Sequence, residues 1–109
     1  MITINMTGTE KQIAWANDII NTPVTNVEYI IAQWNRPGFE SLAAAIPAIR
    51  SAIARYETDM TTVLAPKLAD AKFVIEKRSR FSAMLRAAIS EAVKAEGHDH
   101  AIIIANLHL

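Results

Sequence analysis

Apolar and polar positions change period several times along this chain, and those changes divide it. Ile2, Ile4 and Met6 alternate with Thr3 and Asn5, the period of a half-buried strand over residues 1–6. Thr9 and Gln12 then have the spacing of a capping box, and Ile13, Trp15, Ala16, Ile19 and Ile20 form the apolar stripe of a first helix. Asn21-Thr22-Pro23 predicts its end, because proline disfavours helical backbone in the residue before it. Thr25 with Glu28 repeats the capping spacing and predicts a second helix, its face built from Val27, Ile30, Ile31 and Trp34 and its end at Arg36-Pro37-Gly38. On this pattern both tryptophans are core anchors.

Leu42, Ile46, Ile49, Ile53, Tyr56 and Met60 keep one helical phase through Pro47, which predicts a kinked helix with Pro47 on its outer side. The phase continues to Ile75. An unbroken helix over 40–77 would be about 57 Å long, too long for a domain whose radius of gyration should be near 13 Å. The chain therefore reverses between Thr58 and Pro66, with Pro66 in the first turn of a fourth helix. Phe81, Met84, Leu85, Ala88, Ile89, Ala92 and Val93 define the last long helix, and Gly97 suits its C-terminal cap. The tail AIIIANLHL reads as a buried strand paired with residues 2–6, or as a short helix. The expected fold is mainly α: one domain over 1–109, a compact bundle of four to five helices, with the two termini as candidates for short strands.

Composition narrows the function classes. Half of the 109 residues are apolar, enough for a core. The absence of cysteine removes disulfides, thiolate metal sites and cysteine nucleophiles, and fits a reducing compartment. No stretch has the ~18 apolar residues of a membrane span, and the start does not read as a signal peptide. Eleven acidic and eleven basic residues cancel, which disfavours both a general polyanion binder and a strongly acidic DNA mimic. The balance is uneven: residues 1–60 carry four basic and six acidic side chains, a net of minus two, and residues 61–109 carry seven and five, a net of plus two.

Candidate chemistry is sparse. His98, Asp99, His100 and His108 are metal-ligand types, but their spacing matches no known site, and a solvated turn after a helix is the simpler reading; no metal and no cofactor are expected. Three glycines leave no phosphate-cradling loop, and no nucleophile elbow is present. The carboxylate pairs Glu57/Asp59 and Asp70/Glu76 read as polar helix faces, so no enzyme is expected. Lys67, Lys72, Lys77, Arg78, Arg80 and Arg86 lie within twenty residues and form the candidate binding patch, suited to phosphates or to an acidic protein surface. A solvated helix face is the plainer alternative. Phe73 and Phe81 read as core, so the aromatic interleaving of single-strand binders is missing.

Two segments carry a resemblance. Gly8, Thr9, Glu10, Lys11, Gln12, Trp15, Ala16 and Ile19 fit G-[ST]-E-K-Q-x-x-W-A-x-x-I, and Asp70, Ala71, Ile75, Glu76 and Arg78 fit D-A-x-x-x-I-[DE]-x-R. The pair resembles a group of small proteins of bacteria, phages and other mobile elements that includes an anti-CRISPR protein acting on a type I system. The match spans about a quarter of the chain. The resemblance implies a non-enzymatic inhibitor in the bacterial cytoplasm that blocks a type I effector subunit or its recruited nuclease sterically. Read physically, the shared residues are structural, and the expectation is that the first and fourth helices pack together, with Arg78 bonded to Glu10 or to a helix end. A nucleic-acid-binding module using the basic patch is the alternative, and the protein would be a monomer or a homodimer.

Overall fold

The computed structural model describes residues 2–109; the first residue of the expected N-terminal strand lies outside them. The described residues fold as seven α-helices: α1 (Glu10–Ala32), α2 (Glu40–Ala43), α3 (Ile46–Thr61), α4 (Ala65–Leu68), α5 (Ala71–Glu76), α6 (Ser79–Ala95) and α7 (His100–Leu107). A 3-10 turn, Gln33–Asn35, follows α1. The mainly α expectation holds. The count differs because two expected helices fuse and the middle of the chain breaks into short pieces.

The fusion is at Pro23. α1 runs through it for 23 residues, about 34 Å, and Thr25 and Glu28 are exposed interior positions instead of a cap. Proline inside a helix removes one hydrogen bond and costs about 3 kcal/mol. Here its ring is buried beside Ala16, Ile20, Val24, Val27 and Ile31, and burial of that continuous stripe outweighs the lost bond. The Thr22 hydroxyl donates to the Asp18 carbonyl at 2.6 Å just before it. The start of α1 is as expected: Gln12 N–H donates to Thr9 Oγ1, and Thr9 N–H donates to Gln12 Oε1.

Among the described residues no strand forms at either terminus. Residues 2–6 have the predicted alternation, with Ile2 and Ile4 buried, yet they lie along α1. Asparagine side chains replace the missing strand partner. Ile2 N–H donates to Asn21 Oδ1 (2.8 Å), Asn21 Nδ2 donates back to the Ile2 carbonyl (2.7 Å), and Ile4 N–H donates to Asn17 Oδ1. Asn17 and Asn21 are one helical turn apart, so their amides follow the extended segment. At the other end, 100–107 is helical because Asp99 caps it, accepting from the N–H groups of Ala101 and Ile102. Ile103 and Leu107, four residues apart, are its buried face.

Pro47 is exposed and sits in the first turn of α3, so α2 and α3 are separate helices and not one kinked helix. The reversal after α3 is where length demanded it, and Pro66 opens α4. The fourth helix is split at Ala69–Asp70, where the chain bonds back to Thr7: Thr7 N–H to the Ala69 carbonyl (2.7 Å) and Ala71 N–H to the Thr7 carbonyl (3.1 Å). α6 ends as predicted. Gly97, at φ +80°, donates to the Lys94 carbonyl, and His98 N–H donates to the Val93 carbonyl.

One core joins these pieces. The main helix pair is α3 with α6: Ala45, Ala48, Ile49, Ala52, Ile53, Tyr56 and Met60 are buried on α3 and its cap, and Phe81, Leu85, Ile89 and Val93 on α6. α1 lies against α5 and α6, and α7 closes on α6. The molecule is elongated, 46 × 24 × 18 Å, with a radius of gyration of 14.8 Å.

Candidate functional site

The six basic residues do not form one patch. Lys67 at the end of α4, Lys77 after α5 and Arg80 in the first turn of α6 converge on an apolar groove lined by Leu64, Leu68, Phe73, Phe81 and Met84, with a volume of about 130 Å³. Short helices make this convergence. The break at Asp70, capped by its own side chain on Lys72 N–H, turns α5 away from α4, and only two residues separate α5 from α6. Three cations thus face one opening, and no carboxylate lines it. Leu68 and Phe81 are buried in the core below, whereas Phe73, Leu64 and Met84 are half-buried.

The other three point elsewhere. Lys72 is exposed on α5 and lines no groove with the rest. Arg86 Nη1 donates to the Leu109 carbonyl at 3.4 Å, tying α6 to the chain end. Arg78 Nη1 donates to the Ile75 carbonyl at 3.0 Å, so it caps the end of α5, as the helix-end arrangement anticipated. Its side chain also borders a second groove, about 290 Å³, lined by Trp15, Asp18, Ile19, Thr22, Pro23, Ser79 and Ser82.

Trp15 corrects a sequence reading. It is 51 % exposed, whereas Trp34, at 3 %, is the core anchor expected of both. The burial phase of α1 is set by Ala16, Ile20, Val24, Val27 and Ile31, and Trp15 falls to its side. Treating Pro23 as a helix stop concealed that phase. Phe73 is the other residue sequence reasoning missed, because only the fold places it among cations distant in sequence. Tyr29, 71 % exposed, lies off every stripe the sequence defines and drew no reading there.

The histidines do not assemble. His98 and His100 flank the start of α7 and His108 ends it, while the Asp99 carboxylate is engaged in capping. Among the described residues, no group of three His, Cys, Asp or Glu side chains is arranged to hold a metal. Glu40 has its carboxyl held below the ordinary range by its own N–H and that of Gly38, a turn contact at the start of α2. The Tyr56 hydroxyl is pushed well above its ordinary pKa by burial, with the Glu57 charge adding to the effect, and it donates to the Ile20 carbonyl at 2.8 Å. These are structural roles, and neither Glu40 nor Tyr56 lines either groove.

The two motif segments meet at one junction. Thr7 and Asp70 form the bridge, and Gly8, at φ +144°, lies so close to Ala71 that a Cβ there would come within 3.2 Å of the alanine methyl. Gly8, the Thr9–Gln12 box, Asp70 and Ala71 therefore lock α1 to α5, and they build the scaffold beside the grooves. Comparison with protein-family models, with curated proteins and with solved structures returns no match.

Proposed function

We propose that this protein is a non-enzymatic binding module of phage or mobile-element origin that inhibits a type I CRISPR effector by docking on a protein subunit or on its recruited nuclease. One observation carries the binding reading: Lys67, Lys77 and Arg80 ring an apolar groove floored by Phe73, Leu64 and Met84, with no carboxylate among its lining residues. An acidic amphipathic segment of a protein suits it, an apolar side chain entering the groove while flanking carboxylates meet the rim. The apolar contact supplies affinity, and the cations speed and orient the encounter. The choice of a CRISPR effector as the target rests on the resemblance of the two motif segments.

Phe73 favours a second reading. An aromatic face among three cations is the arrangement on which a single-stranded nucleic acid stacks a base while its phosphates meet the rim. Three phosphate contacts would give a salt slope of about −2 for single strands.

Phage plaquing on hosts with active type I-E or type I-F immunity tests the proposal, with the protein expressed in wild-type form and as K67E/K77E/R80E. Restored plaquing by the wild type in one host, lost in the folded triple variant, is expected. Absence of rescue in both hosts overturns the inhibitor reading, and binding of single strands with the stated salt slope replaces it with the second.

A further inference from the structure

The first turn of α6 is a ridge between the two grooves. Lys77, Arg80 and Phe81 line the one at α4 and α5, whereas Arg78, Ser79 and Ser82 line the one of about 290 Å³ at α1. Neighbouring residues thus divide between the two flanks of a single turn, as side chains about 100° apart around a helix must. The groove at α1 has features that the fold does not use. Trp15 is 51 % exposed, on a helix whose buried stripe runs from Ala16 to Ile31 without it. With half-buried Ile19 and buried Pro23 it makes an apolar wall. Arg78 is exposed at the ridge and held there by its Nη1 bond to the Ile75 carbonyl, which leaves the rest of its N–H groups to offer.

We propose that the acidic protein segment seated in the Lys67–Lys77–Arg80 groove is bipartite: it crosses the first turn of α6 and places a second apolar or aromatic side chain against Trp15. The inference rests on the binding reading of that groove. Charge complementarity selects the occupant. Among the described residues lining the two grooves, Lys67, Lys77, Arg78 and Arg80 face a single carboxylate, Asp18, at the Trp15 end. A peptide can end its negative charge where Asp18 begins. A nucleic acid strand carries a phosphate at every residue and would bring one against Asp18, so a peptide fits the pair of grooves better.

The ridge sets the spacing of the partner's anchors. A helix is about 10–12 Å across and an extended chain spans about 3.3 Å per residue, so the two anchors are three or four residues apart. The residues between them are acidic and meet Lys77, Arg78 and Arg80 in charge-assisted contacts. Past the second anchor the segment presents a cation or a hydroxyl to Asp18. The exposed half of an indole side chain is on the order of 100 Å², and covering it is enough for an affinity gain of about tenfold.

Selection from a random dodecapeptide library displayed on phage tests it, with the full chain as bait in wild-type form and as W15A, D18N and K67E/K77E/R80E, each checked for unchanged helical circular dichroism. The wild type should enrich acidic sequences with two apolar or aromatic residues three or four apart. W15A should lose the preference at the second of these, and D18N should tolerate acidic residues beyond it. A selected peptide free of tryptophan should shift Trp15 emission to the blue, with buried Trp34 unchanged, and bind the wild type about tenfold more tightly than W15A. Acidic peptides with one anchor, enriched equally by the wild type and W15A, overturn the bipartite segment and leave the binding reading standing. Absence of acidic enrichment, or enrichment that survives K67E/K77E/R80E, overturns that reading and this inference with it. Oligo(dT) binding that requires both Trp15 and the rim cations overturns the peptide occupant in favour of a nucleic acid strand.

Discussion

At the residue scale, Tyr56 couples the two halves of the core. Its ring is 2 % exposed within the α3 stripe, and its hydroxyl donates to the Ile20 carbonyl on α1. Such a bond contributes about 1 kcal/mol, so Tyr56→Phe should be less stable by that amount at pH 8. The pH dependence has a definite sign. Burial raises the folded pKa above the unfolded value near 10, so the bond's contribution is complete below pH 10. Above it the unfolded chain releases a proton that the folded chain retains, and stability falls by up to about 1.4 kcal/mol per pH unit. Tyr56→Phe lacks this loss. Urea midpoints measured from pH 8 to pH 11.5 should show the variant less stable at first, equal by about pH 11, and more stable beyond. Parallel curves would show that Tyr56 ionises in the folded state as readily as in the unfolded one. None of this was legible in the sequence, where Tyr56 was one apolar member of a stripe; its partner lies 36 residues away, on a helix whose continuity the sequence did not reveal.

At the scale of elements, local signals succeeded where local chemistry decides and failed where packing decides. The Thr9–Gln12 box, the first-turn Pro66 and the Gly97 cap all stand where predicted, because each satisfies or removes a nearby backbone group. Pro23 was misread because its local penalty is outweighed by the buried stripe from Ala16 to Ile31, visible only once the fold is complete. The alternation of Ile2, Ile4 and Met6 correctly identified the buried side chains, but it could not show that Asn17 and Asn21 would supply the hydrogen bonds. His100–Leu107 became a helix because the Asp99 cap outweighs the β-preference of three isoleucines. Gly97 gives the sharpest test of the local terms. A Cβ at this position meets nothing within 4 Å, so Gly97→Ala adds no clash and isolates the cost of φ +80°. Thermal or urea unfolding should show a loss of about 1–2 kcal/mol. A loss below 0.3 kcal/mol would mean that the α6–α7 turn relaxes to another geometry.

At the scale of the whole molecule, neutrality conceals an organised charge distribution. The net of plus two in residues 61–109 was legible in the sequence, and so were the cations that carry it. Their division was not: Lys67, Lys77 and Arg80 converge only because α4, α5 and α6 turn sharply on one another, while Arg78 and Arg86 are drawn off to carbonyls. The groove therefore combines two recognition elements that separate substitutions can divide. Met84→Trp fills the floor with a larger side chain and leaves the three cations in place. K67E/K77E/R80E reverses the rim and leaves the floor. If an acidic protein segment occupies the groove, Met84→Trp should weaken binding at least tenfold, mainly through faster dissociation, because the apolar anchor loses its seat. The charge reversal should act mainly by slowing association, and the salt dependence of the association rate should diminish with it. If a single-stranded nucleic acid occupies it, Met84→Trp should retain most of the affinity, since phosphate contacts on the rim persist and an added indole offers a further stacking face. Charge reversal should then abolish binding at all salt concentrations. Surface plasmon resonance on the captured effector complex and on an unstructured oligonucleotide, each with the two variants, separates the occupants by which half of the groove carries the affinity.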